Sequence, residues 1–143
     1  LIASCLAGIE VHVKVSGTLT CHNGFFYSVQ LGEEDDLSDD NIDTIKFGQS
    51  AHHTVHYKVS GMAKEAKGVF WDNAVEPYVY IIHTCGSGGK PVCLCQQWKG
   101  VTSDLDVTLN VNLESGEPKC DRCNMHDLVE KIKNLYNKIT DNV

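Results

Sequence analysis

Residues 9–20, "IEVHVKVSGTLT", begin with a clean alternation: Ile9, Val11, Val13 and Val15 fall on one side, and Glu10, His12, Lys14 and Ser16 on the other. A period of two built on β-branched residues predicts a strand with one buried face. Gly17 predicts a bulge or bend before Leu19 and Cys21. "HNG" at 22–24 is a turn signal, and "FFYSVQL" at 25–31 predicts the second strand. Residues 32–43, "GEEDDLSDDNID", hold seven acids and no apolar period, so a loop is expected there. Alternation resumes at 52–61, where Thr54, His56 and Lys58 oppose Val55, Tyr57 and Val59. "GVFWDN" at 68–73 predicts a short strand or an edge.

In "PYVYIIHTC", residues 77–85, Val79, Ile81 and His83 share one face and Tyr78, Tyr80 and Ile82 the other. A strand apolar on both sides is expected at the centre of a sheet. "GSGGK" is a loop tip, and "PVCLCQQW" returns along the sheet. "LDVTLNVNL", residues 105–113, sets Leu105, Val107, Leu109, Val111 and Leu113 on one face. From residue 124 the period changes. Leu128, Ile132, Leu135, Tyr136 and Ile139 recur at helical spacing, behind Asn124 as an N-cap with Asp127 three residues on. No internal repeat is present. The expected fold is all-β, a two-sheet immunoglobulin-like sandwich of about seven or eight strands, followed by a C-terminal amphipathic helix.

With 143 residues, this is one domain with a sizeable core. A formal charge of −7 and a single arginine, Arg122, argue against nucleic acid, which needs clustered cations. No apolar run is long enough to span a bilayer as a helix. The opening "LIASCLAGIE" reads as the tail of a secretory signal, with "CLA" before Gly8 as the cleavage context. On that reading residues 1–8 are a signal remnant, 9–118 the sandwich and 119–143 a tethered helix. Cys5 then belongs to the discarded segment, leaving Cys21, Cys85, Cys93, Cys95, Cys120 and Cys123, an even set suited to three disulfides. No N-x-[ST] sequon supports secretion independently.

Several groups compete with the disulfide reading. "CDRC", residues 120–123, has metal or redox spacing, but "CLC" at 93–95 is a poor second zinc pair, and thioredoxin-type chemistry needs a βαβ setting. His83 and Cys85 share a face without an obvious third group to orient the imidazole. On a strand, His52 and His56 share a face while His53 opposes them, so two histidines at most reach one metal ion. The acidic stretch, with Glu33, Asp35, Asp36, Asp39 and Asp40, offers hard oxygen ligands for Ca²⁺ but lacks the EF-hand pattern. No nucleophile elbow, phosphate loop, dinucleotide fingerprint or H-E-x-x-H is present, so neither an enzyme nor a cofactor is expected.

The layout resembles the nematode transthyretin-like family of small secreted β-sandwich proteins. The carriers of the resemblance are "VSGTLTC", the acidic "GEEDDLSDD", "HYKVSG", "TLNVNLESG" and above all "EPYVYIIHTC", which is similar to the family's P-x-L-x-I-x-H-x-C strand; the resemblance covers approximately residues 11–116. "CHNGFFYSVQL" departs from the family in lacking a small, Pro-containing turn, and the "CDRC" segment has no counterpart. The resemblance implies a bridge from Cys21 to Cys85 and leaves Cys93 and Cys95 to pair with Cys120 and Cys123 in either order. It implies no hydrolase: the related 5-hydroxyisourate hydrolases need an arginine, histidines and a C-terminal Tyr-Arg-Gly-Ser, whereas this chain ends "ITDNV".

The expected function is that of a secreted, non-enzymatic binding or bridging protein. The partner implied is an extracellular receptor or a cell-surface lipid such as phosphatidylserine, or a host target of a parasite effector. An acidic chain meets an anionic membrane only through Ca²⁺ or a local basic patch such as Lys58, Lys64 and Lys67. The alternative is a carrier of a small apolar ligand, hormone or lipid. A redox or metal-binding role for Cys120 and Cys123 or the histidines ranks behind both.

Overall fold

The structure, a computed structural model, describes residues 8–34, 40–50, 53–65, 74–86 and 88–123. The C-terminal segment from 124, the candidate strand at 68–73 and the signal-like residues 1–7 lie outside the described residues. Over the described residues the chain is all-β, with eight strands: β1 (Ile9–Thr20), β2 (Phe25–Glu33), β3 (Asp40–Ser50), β4 (Thr54–Glu65), β5 (Pro77–His83), β6 (Val92–Gln97), β7 (Leu105–Thr108) and β8 (Val111–Asn112).

They form two sheets. In the first, β1 lies between antiparallel β4 and the parallel pair β7 and β8; in the second the order is β3–β2–β5–β6. Alternation decides which side chains lie between them. Val11, Val13, Val15 and Leu19 of β1 and Tyr57 and Val59 of β4 meet Val29 and Leu31 of β2, Val79 and Ile81 of β5 and Leu94 of β6 in one core. The opposite face of β1 and β4 carries Glu10, His12, Lys14, His56, Lys58 and Lys64. As its two apolar faces predict, β5 is internal, between β2 and β6. Its second face, Tyr78 and Tyr80, packs with Cys93 and Cys95 in a smaller cluster on the outside of the sheet.

Three sequence expectations need correction. The acidic stretch 32–43 is not one loop: β2 runs through Glu33 and β3 begins at Asp40, pairing antiparallel with β2. An edge strand paired on one side needs no continuous apolar period, and two register shifts blur what period there is. Residues 105–113 are not one strand but β7 and β8, separated at 109–110. Nor does Gly17 interrupt its strand; β1 continues through it. Its role is close approach, because a Cβ there would stand 2.0 Å from the Leu109 carbonyl oxygen. The step between β7 and β8 is laid over this bare backbone, with the Leu109 amide bonded to Ser16 O at 2.8 Å and the Thr18 amide to Asn110 Oδ1 at 3.0 Å. Gly17→Ala therefore forces Leu109 outward and lowers the unfolding free energy by about 1–3 kcal/mol, read by urea denaturation.

Candidate functional site

Two disulfide-bonded corners organise the molecule. The first joins Cys21, just past β1, to Cys85, just past β5, across a separation of 64 residues. It ties the first sheet to the second, and both cysteines are buried. Around it the Cys21 amide donates to His53 O at 2.9 Å, and the Cys85 amide donates to Nδ1 of His83 at 3.0 Å. On the solvent side His22 and Glu114 form a pair, with Nδ1 2.7 Å from Oε1 and the His22 amide also donating to that oxygen at 2.8 Å. These hydrogen bonds hold the Glu114 carboxyl below its ordinary range. The Cys21 and Cys85 sulfurs and the Glu114 carboxylate lie within 4.8 Å of one another. The sulfurs are bonded to each other, however, and offer no thiolate.

The second corner is a double clamp. Cys93 bonds to Cys123 and Cys95 to Cys120, which settles the order that the sequence left open. Cys93 and Cys95 point to the same side of β6, away from the main core, so both bridges land on the outer face of the second sheet. The Cys95 amide donates to Pro118 O at 3.0 Å, drawing the segment against β6. Arg122 donates to Glu34 and stands 5.9 Å from the Tyr78 ring centroid, while Gln97 donates to the other Glu34 oxygen at 2.5 Å. The "CDRC" cysteines thus form no bridge with each other. They fix residues 118–123 to the sheet and set where the C-terminal segment begins.

The remaining candidates fall apart spatially. His56 is exposed on the outer face of β4, beside Thr18; His53 is exposed ahead of β4, and His52 lies outside the described residues. Lys58 and Lys64 share the outer face of β4 with His56, and Lys64 pairs with Glu10 at 3.6 Å. Lys67 lies outside the described residues. Of the Ca²⁺ candidates, Asp35, Asp36 and Asp39 are likewise outside, and Asp40 opens β3. Glu33 is the clear departure: it is buried at the end of β2, with Oε1 accepting the Glu76 amide at 3.2 Å. Extending the inward series Phe25, Val29, Leu31 by two residues would have found it. The Glu34–Arg122 and His22–Glu114 pairs carry no local signal, since their partners come from distant parts of the chain.

Burial pushes the Tyr57 phenol up, and its hydroxyl donates to Leu109 O at 2.6 Å. His83, the buried imidazole among the described residues, has its pKa lowered to about 4 by desolvation and so stays neutral at physiological pH. Comparison with protein-family models, curated proteins and solved structures finds no match.

Proposed function

We propose that the chain is a secreted, non-enzymatic binding or bridging protein of the transthyretin-like kind, with a sandwich over residues 9–118 and a disulfide-tethered C-terminal segment from 119. The observation that carries this reading is the joining of six cysteines in three bridges. Bridges at this density persist in oxidising, extracellular compartments, where a rigid scaffold must survive without chaperones. The resemblance over residues 11–116 supplies the class of function, recognition of a cell-surface lipid or receptor.

The outer face of the first sheet suits such contact. Lys14, Lys58 and Lys64, with His12 and His56, stand there against Glu10 and Asp106 on three neighbouring strands. On a chain of formal charge −7, this is a surface on which an anionic headgroup meets local cations. Flotation with phosphatidylcholine vesicles, with and without phosphatidylserine and in EDTA or Ca²⁺, tests it. The protein is expected to float with the phosphatidylserine vesicles alone, and Lys58→Glu to weaken binding about tenfold at low salt. Failure to bind in both EDTA and Ca²⁺ removes the lipid and leaves a protein receptor as the partner.

A further inference from the structure

His83 ends β5 with its side chain turned into the core and 2% exposed. Because Nδ1 accepts the Cys85 amide, the ring proton sits on Nε2. That Nε2 is itself buried, with no hydrogen-bond partner among the described residues. An imidazolium donates from both nitrogens, so a proton on Nδ1 would face the Cys85 N–H and break this bond.

No described anion is placed to hold such a charge. Tyr27 of β2 and Val92 of β6 flank the ring, and Val79 and Ile81 precede it on the same face. Glu33 sits at the other end of the β2–β5 ladder, opposite Pro77. From the first sheet, Tyr57 commits its hydroxyl to Leu109 O. Beside the bridge, His22 and Glu114 pair with each other, and the His53 side chain is exposed.

We infer that His83 is an acid-sensitive latch: the neutral ring holds the Cys85 amide and with it the corner at 84–86, and protonation at Nδ1 releases that corner while the Cys21–Cys85 bridge keeps it tethered. The release reaches the surface. The Thr84 amide donates to Phe26 O at 3.0 Å, and the Phe26 amide to Thr84 Oγ1 at 2.9 Å. Phe26, 47% exposed, is the exposed large apolar side chain among the described residues, so acid alters how it is presented.

The direction follows from linkage. Latched, the ring has a pKa lowered to about 4; released into water it returns to 6.5. Above pH 6.5 neither form is protonated and the latch holds fully. Between 6.5 and about 4 only the released form takes the proton, so release gains about tenfold per pH unit and levels off near 300-fold below.

NMR on the intact, oxidised protein follows ring and corner together. The His83 ring is expected to be the Nε2–H tautomer and to titrate well below pH 6. Protection of the Cys85 amide, corrected for intrinsic exchange, is expected to fall about tenfold per unit between pH 6 and 4 while the Val15 and Val59 amides stay protected. In His83→Asn, whose side-chain oxygen replaces Nδ1 as acceptor, that fall disappears. The latch is overturned by a ring titrating near 6.5 with Cys85 protection unchanged. Loss of protection spreading equally to Val15 and Val59 overturns it too, as does the same fall persisting in His83→Asn.

Discussion

Replacing Cys21 and Cys85 together by alanine lowers the unfolding free energy by about 4 kcal/mol, the largest loss expected from any change considered for this molecule. The bridge spans 64 residues, and that separation sets the loop-closure entropy it removes from the unfolded chain. It also joins the ends of central strands of both sheets, and no other bridge among the described residues does so. The two bridges of the clamp behave differently, although their separations are 30 and 25 residues. With Cys93–Cys123 closed, the second bridge adds only a small ring made of 93–95 and 120–123. Loss of Cys95–Cys120 alone therefore costs about 2 kcal/mol rather than the roughly 3.5 its own separation implies. Guanidinium unfolding of the variants measures both effects. The slope against denaturant should rise most in the Cys21/Cys85 variant, whose unfolded chain expands furthest.

Ile81→Ala is expected to cost about 4 kcal/mol, close to the disulfide loss but for a different reason. Ile81 is fully buried in β5, with Val29 opposite it on β2 and Leu94 on β6. Backbone hydrogen bonds on both edges of β5 hold these neighbours in place, so the site has little freedom to collapse around the space left. The neighbouring Ile82 points to the outer face of the same strand and is half-buried. Ile82→Ala should cost only about 1 kcal/mol. Equal losses at the two positions, in the same denaturation experiment, would contradict the assignment of inner and outer faces.

That assignment was legible in the sequence because alternation is local. The series Val11–Val13–Val15 and Val79–Ile81 needs no tertiary information to predict a buried face, and two apolar faces on one strand placed β5 inside its sheet. The edge strand β3 was hidden because a one-sided edge tolerates acids and because its register shifts against β2. The split between β7 and β8 was hidden too. Leu105 to Leu113 keep one parity throughout, and the step arises only where Leu109 meets Gly17 from another strand. At the candidate sites, composition announced the six cysteines but not the Cys93–Cys123 and Cys95–Cys120 order, which depends on how residues 118–123 lie along β6. His83 was visible as an odd polar residue in an apolar series. Its bond to the Cys85 amide, two residues on, becomes visible only once the strand ends between them.

The proposed function requires a disulfide-stapled domain exported to the extracellular space. Its most direct test is a peptide map, without reductant, of the protein recovered from the medium of secreting cells. Export is expected with Cys21–Cys85, Cys93–Cys123 and Cys95–Cys120 linked and none of these six sulfurs alkylated. Retention inside the cell, or free thiols at Cys120 and Cys123 in the native protein, would contradict it and return the metal and redox readings to the front.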